Sequence, residues 1–325
     1  MNPSRAKALL QQWTHQQKLP PQQLNKALKL ANITPTPQHW FNFLDKLLLA
    51  NGGGLLVIGV MFFFAFNWHE ITRFHKFALI EALVLASMAA YSRWFYKSSA
   101  KVFVLAASVF VGVLLAFYGQ TYQTGADTWQ LFAMWALLIT PWAILAQFAS
   151  LWLVWLILIN LSLFLYYQVF HGIFGVIFSG DALQMALFGV NSLALLLWEL
   201  AATHYDWLKG RSEVRLLAVA SGFSITWLML SFIFGHGAKA GYVPLVYGFW
   251  LAAFYGVYRY KVADLFMLAG ASFSVIILST AWLAEILFKA KDGAVLFLLA
   301  LWVIFTSGIV IRWLKGLAQE LRHHD

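Results

Sequence analysis

The sequence predicts an all-α, polytopic membrane bundle of about ten transmembrane helices with both termini cytoplasmic. Three observations carry this. Hydrophobic residues make up 62% of the 325 positions and charged residues 11%, against roughly 25% charged in globular domains. Mean hydropathy is +0.73. Ten segments approach the ~20 apolar residues needed to cross a hydrocarbon core. In lipid each backbone group must be satisfied within its own segment, which favours helices, and the alternation of a membrane barrel is absent.

A cytoplasmic leader is expected over residues 1–46. Ser4 suits the cap of a short helix carrying Leu9, Leu10 and Trp13. Pro20 and Pro21 break it and open a second helix with Leu24, Leu28, Lys26 and Lys29, which Thr34-Pro35-Thr36-Pro37 ends. Two readings stand: a helical pair folded against the bundle, or a basic surface helix that meets anionic lipid or a protein partner. No early apolar core marks a signal peptide.

The spans follow at 47–66, 77–91, 102–119 and 129–147, a first membrane domain over 47–150. The rest are 151–170, 182–202, 214–234, 242–258, 264–287 and 293–313, a second domain over 151–325. With the N-terminus inside, only Arg73, Lys76, Lys239, Lys289 and Lys291 of the 22 Lys and Arg fall outside. That bias sets the orientation and accounts for the net charge of +9 without a nucleic-acid partner. Trp68, Trp94, Trp129, Trp207 and Trp313 mark span ends, as interfacial indoles do. Trp135, Trp152, Trp155, Trp227, Trp250 and Trp302 are expected as packing bulk inside spans.

The unusual chemistry lies in two polar loops on the outer side. Asn67-Trp68-His69-Glu70 follows span one; GQTYQTGADTW, Gly119–Trp129, follows span three without a Lys or Arg. Together they present Asn67, His69, Glu70, Gln120, Tyr122, Gln123 and Asp127. Thr124 or Asp127 is placed to cap span four. One reading is a well-made turn whose side chains satisfy backbone groups. The other is an outward-facing polar pocket for a cation or small solute, with Glu81 and Glu285, each about a turn from the outer side, as its deeper acidic wall. Intramembrane carboxylates are costly and mark function by default. Glu199, near the cytoplasmic end, is placed to meet water or Arg211. Asn51, Asn160, Gln184 and Asn191 read as amide bridges between helices.

No HExxH, GxSxG or P-loop is present, so an enzyme is not indicated. No cofactor or metal site is expected: cysteine is absent and the histidines fall in tails and loops. Two readings of function remain, small-solute or ion passage at the outer site, or a non-catalytic subunit whose leader or outer loops bind a partner protein.

The basic leader, GGGLLVIGVMFFFAFNWHEI and GQTYQTGADTWQLFAMWALLITPW resemble a family of bacterial membrane proteins known as domain of unknown function 2157. The likeness runs over about residues 5–150 and rests on NW after span one and GQ-x-YQTGAD-x-W after span three. It implies a multi-pass location in the bacterial inner membrane and supplies no activity.

Overall fold

The computed structural model describes residues 9–10, 12–14, 16–31, 37–66, 72–97, 100–170, 180–235, 241–289 and 295–324. The chain forms two compact units, Met1–Lys76 and Phe77–Asp325. Among the described residues all regular structure is helical.

In the first unit a 3-10 turn, Pro21–Gln23, opens α1, Leu24–Leu30. Proline costs nothing at a helix start, where its missing N–H has no partner to lose. Helix α2 is continuous over Pro37–Phe66. Its 30 residues rise about 45 Å, so it carries the apolar run 47–66 with some ten residues to spare. The expected cap at Ser4 lies outside the described residues.

Most of the second unit is a series of hairpins. Helix α3 is Arg73–Arg93, α4 Ala100–Tyr122, α5 Thr128–Ala146 and α6 Ala149–Phe170. Helix α7 is Gly180–Ala202, α8 Arg211–Ile233, α9 Val243–Gly256, α10 Leu265–Lys289 and α11 Val295–His324. Eight of these, α3–α8, α10 and α11, are long and apolar enough to cross a membrane. The exception is α9, with 14 residues. A helix of that length rises about 21 Å, short of a hydrocarbon core of about 30 Å. A π-helical turn, Val257–Lys261, extends it. Among the described residues each predicted span falls mainly on a helix, 242–258 on α9 and its π turn.

Tight turns fix the hairpins. Gln147, at φ 46° and ψ 50°, reverses the chain between α5 and α6 in two residues. One apolar cluster, with Val104, Ala136, Ile139, Ala143, Leu151 and Leu158, joins α4, α5 and α6. A second, with Trp198, Val214, Ile225, Trp250, Met267 and Leu317, joins α7 to α11.

Polar groups inside the spans pair across helices. Asn160 and Asn191 exchange amide hydrogen bonds, Asn191 Nδ2 to Asn160 Oδ1 at 2.6 Å and the reverse at 3.2 Å. Ser192 meets Ser221 at 2.7 Å, and Thr226 meets Ser274 at 2.7 Å. The expectation for the amides holds at these two. Asn51 instead bonds the Leu47 carbonyl of its own helix, and Gln184 Oε1 is buried without a partner among the described residues.

The indoles inside the spans do more than fill space. Trp135 Nε1 donates to Ser108 O at 2.7 Å, Trp155 Nε1 to Thr140 Oγ1 at 2.9 Å and Trp302 Nε1 to Ser279 Oγ at 3.2 Å. In hydrocarbon an unpaired N–H is costly, and these three indoles take an acceptor on a neighbouring helix, whereas Trp152 Nε1 is buried without one among the described residues.

Candidate functional site

The loop from α4 to α5 is built by two left-handed residues, Gln123 at φ 44° and Gly125 at φ 66°. Gly125 adopts this without cost; Gln123 does so at some strain. Asp127 stands at the N-cap position of α5, as expected, and its backbone carbonyl accepts from Gln130 N at 3.0 Å. Its carboxylate makes no capping bond.

Aromatic rings flank the loop. On one side Phe77 of α3 packs on Phe117, with ring centroids 4.6 Å apart, and stacks on Tyr122 at 5.9 Å. On the other Trp129 meets Tyr166 edge to face at 5.0 Å, and Ser162 Oγ donates to Trp129 O at 3.0 Å. The loop therefore sits at the end of the unit where α3 and α5 begin and α4 and α6 finish, between rings of the type that collect at a membrane surface.

The predicted site residues fall as follows. Gln120, Tyr122, Gln123 and Asp127 are gathered on this loop and exposed, and no hydrogen bond engages their side chains among the described residues. The reading of a self-satisfying turn does not describe them. Glu81 is exposed one turn beyond Phe77 on α3, on the same stripe. Glu285 lies in the last turns of α10, held by Lys289 Nζ at 2.8 Å. Among the described residues no hydrogen bond or ion pair joins Glu285 to Glu81 or to the loop. Asn67, His69 and Glu70 lie outside the described residues.

At the opposite end stands a charged cluster that was only half anticipated. Arg211 Nη1 donates to both oxygens of Glu199, at 2.9 and 3.1 Å, the contact expected from α7 to the start of α8. Its Nε reaches Asp264 Oδ2 at 3.1 Å. Arg215 grips the same carboxylate, Nε to Oδ2 at 3.2 Å and Nη2 to Oδ1 at 3.2 Å. Arg211 also lies over the Tyr258 ring, 5.9 Å from its centroid.

Local chain geometry delivers Asp264 to this place. The π turn is closed by Val262 N to Val257 O at 3.0 Å; Ala263 then turns left-handed at φ 46°. Asp264 follows as the cap of α10, accepting Phe266 N on Oδ1 at 3.0 Å. Burial pushes its carboxyl up, but hydrogen bonds from Arg215 and Arg211 outweigh this and hold it below the usual carboxylate range. Arg259 of the π turn pairs with Glu320 of α11. One end of the bundle is thus laced by ions from α7 to α11, skipping only the body of α9.

Sequence reasoning missed Asp264, Arg215 and Tyr258. The available signal was weak: an Asp directly before an apolar run reads as a helix cap, but not as the acceptor of two arginines far back in the chain.

Comparison with known proteins bears on the Gly119–Trp129 loop. Residues 11–152 match the family of predicted membrane proteins described as DUF2157. The matched stretch takes in α1 to α5 and the whole Gly119–Trp129 loop, and ends within the first turn of α6. No curated protein and no solved structure matches the chain.

Proposed function

We propose that the protein is a non-catalytic subunit of the bacterial inner membrane that binds a partner protein through the Gly119–Trp129 loop. The observation that carries this is a contrast in how polar groups are used. Within the spans Asn160, Asn191, Thr226, Ser274 and Trp155 are engaged across helices, Gln184 Oε1 and Trp152 Nε1 being buried without a partner among the described residues, and the cavities described between helices are lined mainly by apolar side chains. A hydrated path for a solute needs the reverse. On the loop Gln120, Gln123 and Asp127 are exposed, and no hydrogen bond engages their side chains among the described residues. Backbone turns at Gln123 and Gly125 present them on a fixed frame, which lowers the entropy lost on binding. The Lys and Arg bias of the sequence supports an outward-facing loop with both termini cytoplasmic.

A second reading is binding or passage of a small solute or ion at the same loop, with Asn67, His69 and Glu70 beside it and Glu81 and Glu285 deeper. The unengaged carboxylate of Asp127 favours it. The Lys289 pairing of Glu285 weighs against a free acidic wall.

The chain has no cysteine, so single-cysteine variants report cleanly. A photo-crosslinking residue at Gln123 should give a discrete protein adduct in intact cells, and one at Gln147 should not give the same adduct. Gln123→Cys should react with an impermeant thiol reagent applied outside. No adduct, together with ion or metabolite uptake abolished by Asp127→Asn, would transfer the assignment to the second reading.

A further inference from the structure

We propose that a groove between α8 and α10 holds one acyl chain of an anionic phospholipid, with Arg215 taking its phosphate. The groove encloses about 210 Å³ and is lined by Gly222, Trp250, Met267 and Gly270, of which Trp250 and Met267 are buried. Its rims are Phe223, Phe266 and Phe273, which remain exposed, so the groove opens sideways from the bundle rather than into it. Thr226 and Ser274, which line its far end, bond each other at 2.7 Å and offer the groove little polarity.

Register along the two helices gives the slot a head and a tail. Residues 266, 270, 273 and 277 recur at the three- and four-residue spacing of one helical stripe. From Phe266 to Ile277 α10 rises about 16 Å, roughly half of a hydrocarbon core of about 30 Å, the depth of a single leaflet. On α8 the stripe runs back from Thr226 through Gly222 and Ala218 to Arg215 and Arg211. The guanidinium of Arg215 lies over Phe266, 5.2 Å from the ring centroid, at the mouth of the groove.

Arg215 is oriented for the headgroup. Of the five N–H donors on a guanidinium it gives two to Asp264, along one edge. Three are left, all of Nη1 among them, and the side chain is 42% exposed. Asp264 is itself fixed by the Phe266 N–H and by Arg211, so the fork is held rather than waving. Planar donors held this way suit a phosphodiester, and one whose headgroup brings no cation of its own beside the guanidinium suits them best. Glu199 and Asp264 balance the charge of Arg211 and Arg215, so it is the three unspent donors of Arg215, rather than net charge, that would meet a lipid phosphate at the end that carries the Lys- and Arg-rich loops. An apolar chain-width slot below a free guanidinium edge selects the whole lipid over inorganic phosphate.

The test is native mass spectrometry of the full chain released from mixed micelles of phosphatidylglycerol and phosphatidylcholine. The wild type should retain phosphatidylglycerol preferentially. In Gly270→Leu a Cβ meets no atom within 4 Å, so the residue is accommodated, and the longer side chain on this lining position is expected to obstruct the slot. This variant should lose retained lipid of both kinds. Arg215→Gln should lower the preference for the anionic lipid roughly tenfold, the loss of one charge-assisted contact, while still retaining chains. Equal retention by wild type and Gly270→Leu overturns the proposal. So does an unchanged preference in Arg215→Gln, competition by glycerol phosphate alone, or a dimer that Gly270→Leu disperses, which would put a second copy in the groove. None of these readouts depends on the crosslinking at Gln123.

Discussion

Removing the Asp264 carboxylate is the sharpest test of how the basic end of the bundle is held. Asp264 accepts four hydrogen bonds, from Arg211 Nε, Arg215 Nε and Nη2, and Phe266 N. Its side chain is 4% exposed. Breaking a buried ion pair by deleting one partner costs about 3–5 kcal/mol, and a lost helix cap about 1 kcal/mol more. The two arginines are 29% and 42% exposed, so water recovers part of the loss. Asp264→Ala should therefore destabilise the second unit by about 2–3 kcal/mol. SDS-driven unfolding followed by tryptophan fluorescence measures this, with Asp206→Ala as control. Asp206 also pairs with a cation, Lys209, but is 93% exposed, and its loss should not register. If Asp264→Ala unfolds no more readily than Asp206→Ala, the cluster is decoration and the reasoning fails. Acid gives an independent check. A carboxyl depressed in the folded state contributes stability above its unfolded value, near 3.9, that is lost as pH falls through the folded one. Asp264→Asn should flatten that acid limb.

Three further outcomes follow from packing. A Cβ at Gly112 would lie 2.4 Å from the Trp135 ring, so Gly112→Ala must displace the indole and break its bond to Ser108 O. Unfolding of that variant should show a loss of about 1–3 kcal/mol. Asn160 and Asn191 hold each other across two spans. Replacing them with Leu, singly and together, should reveal a coupling of about 1 kcal/mol in a double-mutant cycle. Gln147 sits in the left-handed region, where a non-glycine side chain is strained. Gln147→Gly should therefore stabilise by about 0.5 kcal/mol, the relief of that strain less the extra chain entropy of glycine. A thermal scan in one detergent decides the sign.

What was legible in the sequence was whatever acts locally. Span positions follow from runs of apolar residues, and each coincides with a helix. Pro21 opening a helix and Asp127 at a cap position are neighbour effects. The Glu199–Arg211 pair was within reach because a single short loop separates the two residues. Asp264 was not, because its partners lie on another helix and meet it only after a π turn and a left-handed Ala263. Roles of the indoles were hidden for a similar reason. Hydropathy scores Trp135 and Trp155 as bulk, while their N–H groups find acceptors that depend on which helices adjoin. At the outer loop the residue types were plain from the start. Their being unengaged was not, since an Asp at a cap position ordinarily bonds the helix it precedes.

The charged cluster also bears on orientation. Arg211, Arg215 and Arg259 are all counted among the basic residues that favour the inside, yet each is neutralised in the folded bundle by a carboxylate. Counting net charge at that end would erase much of the bias. The rule concerns Lys and Arg near span ends during insertion, and acidic residues contribute little to it. Asp264 and Glu320 come from segments that follow Arg215 and Arg259 along the chain. A chain inserted in order therefore presents these arginines before their partners arrive. On the orientation proposed above, Arg215 and Arg259 would do two jobs in sequence, retention first and lacing of the helices afterwards. Reversing the order of charges, with Arg215→Glu and Asp264→Arg together, keeps the pair while moving the cation later. Stability should largely survive, and external labelling at Gln123→Cys should become mixed if retention at α8 matters to topology.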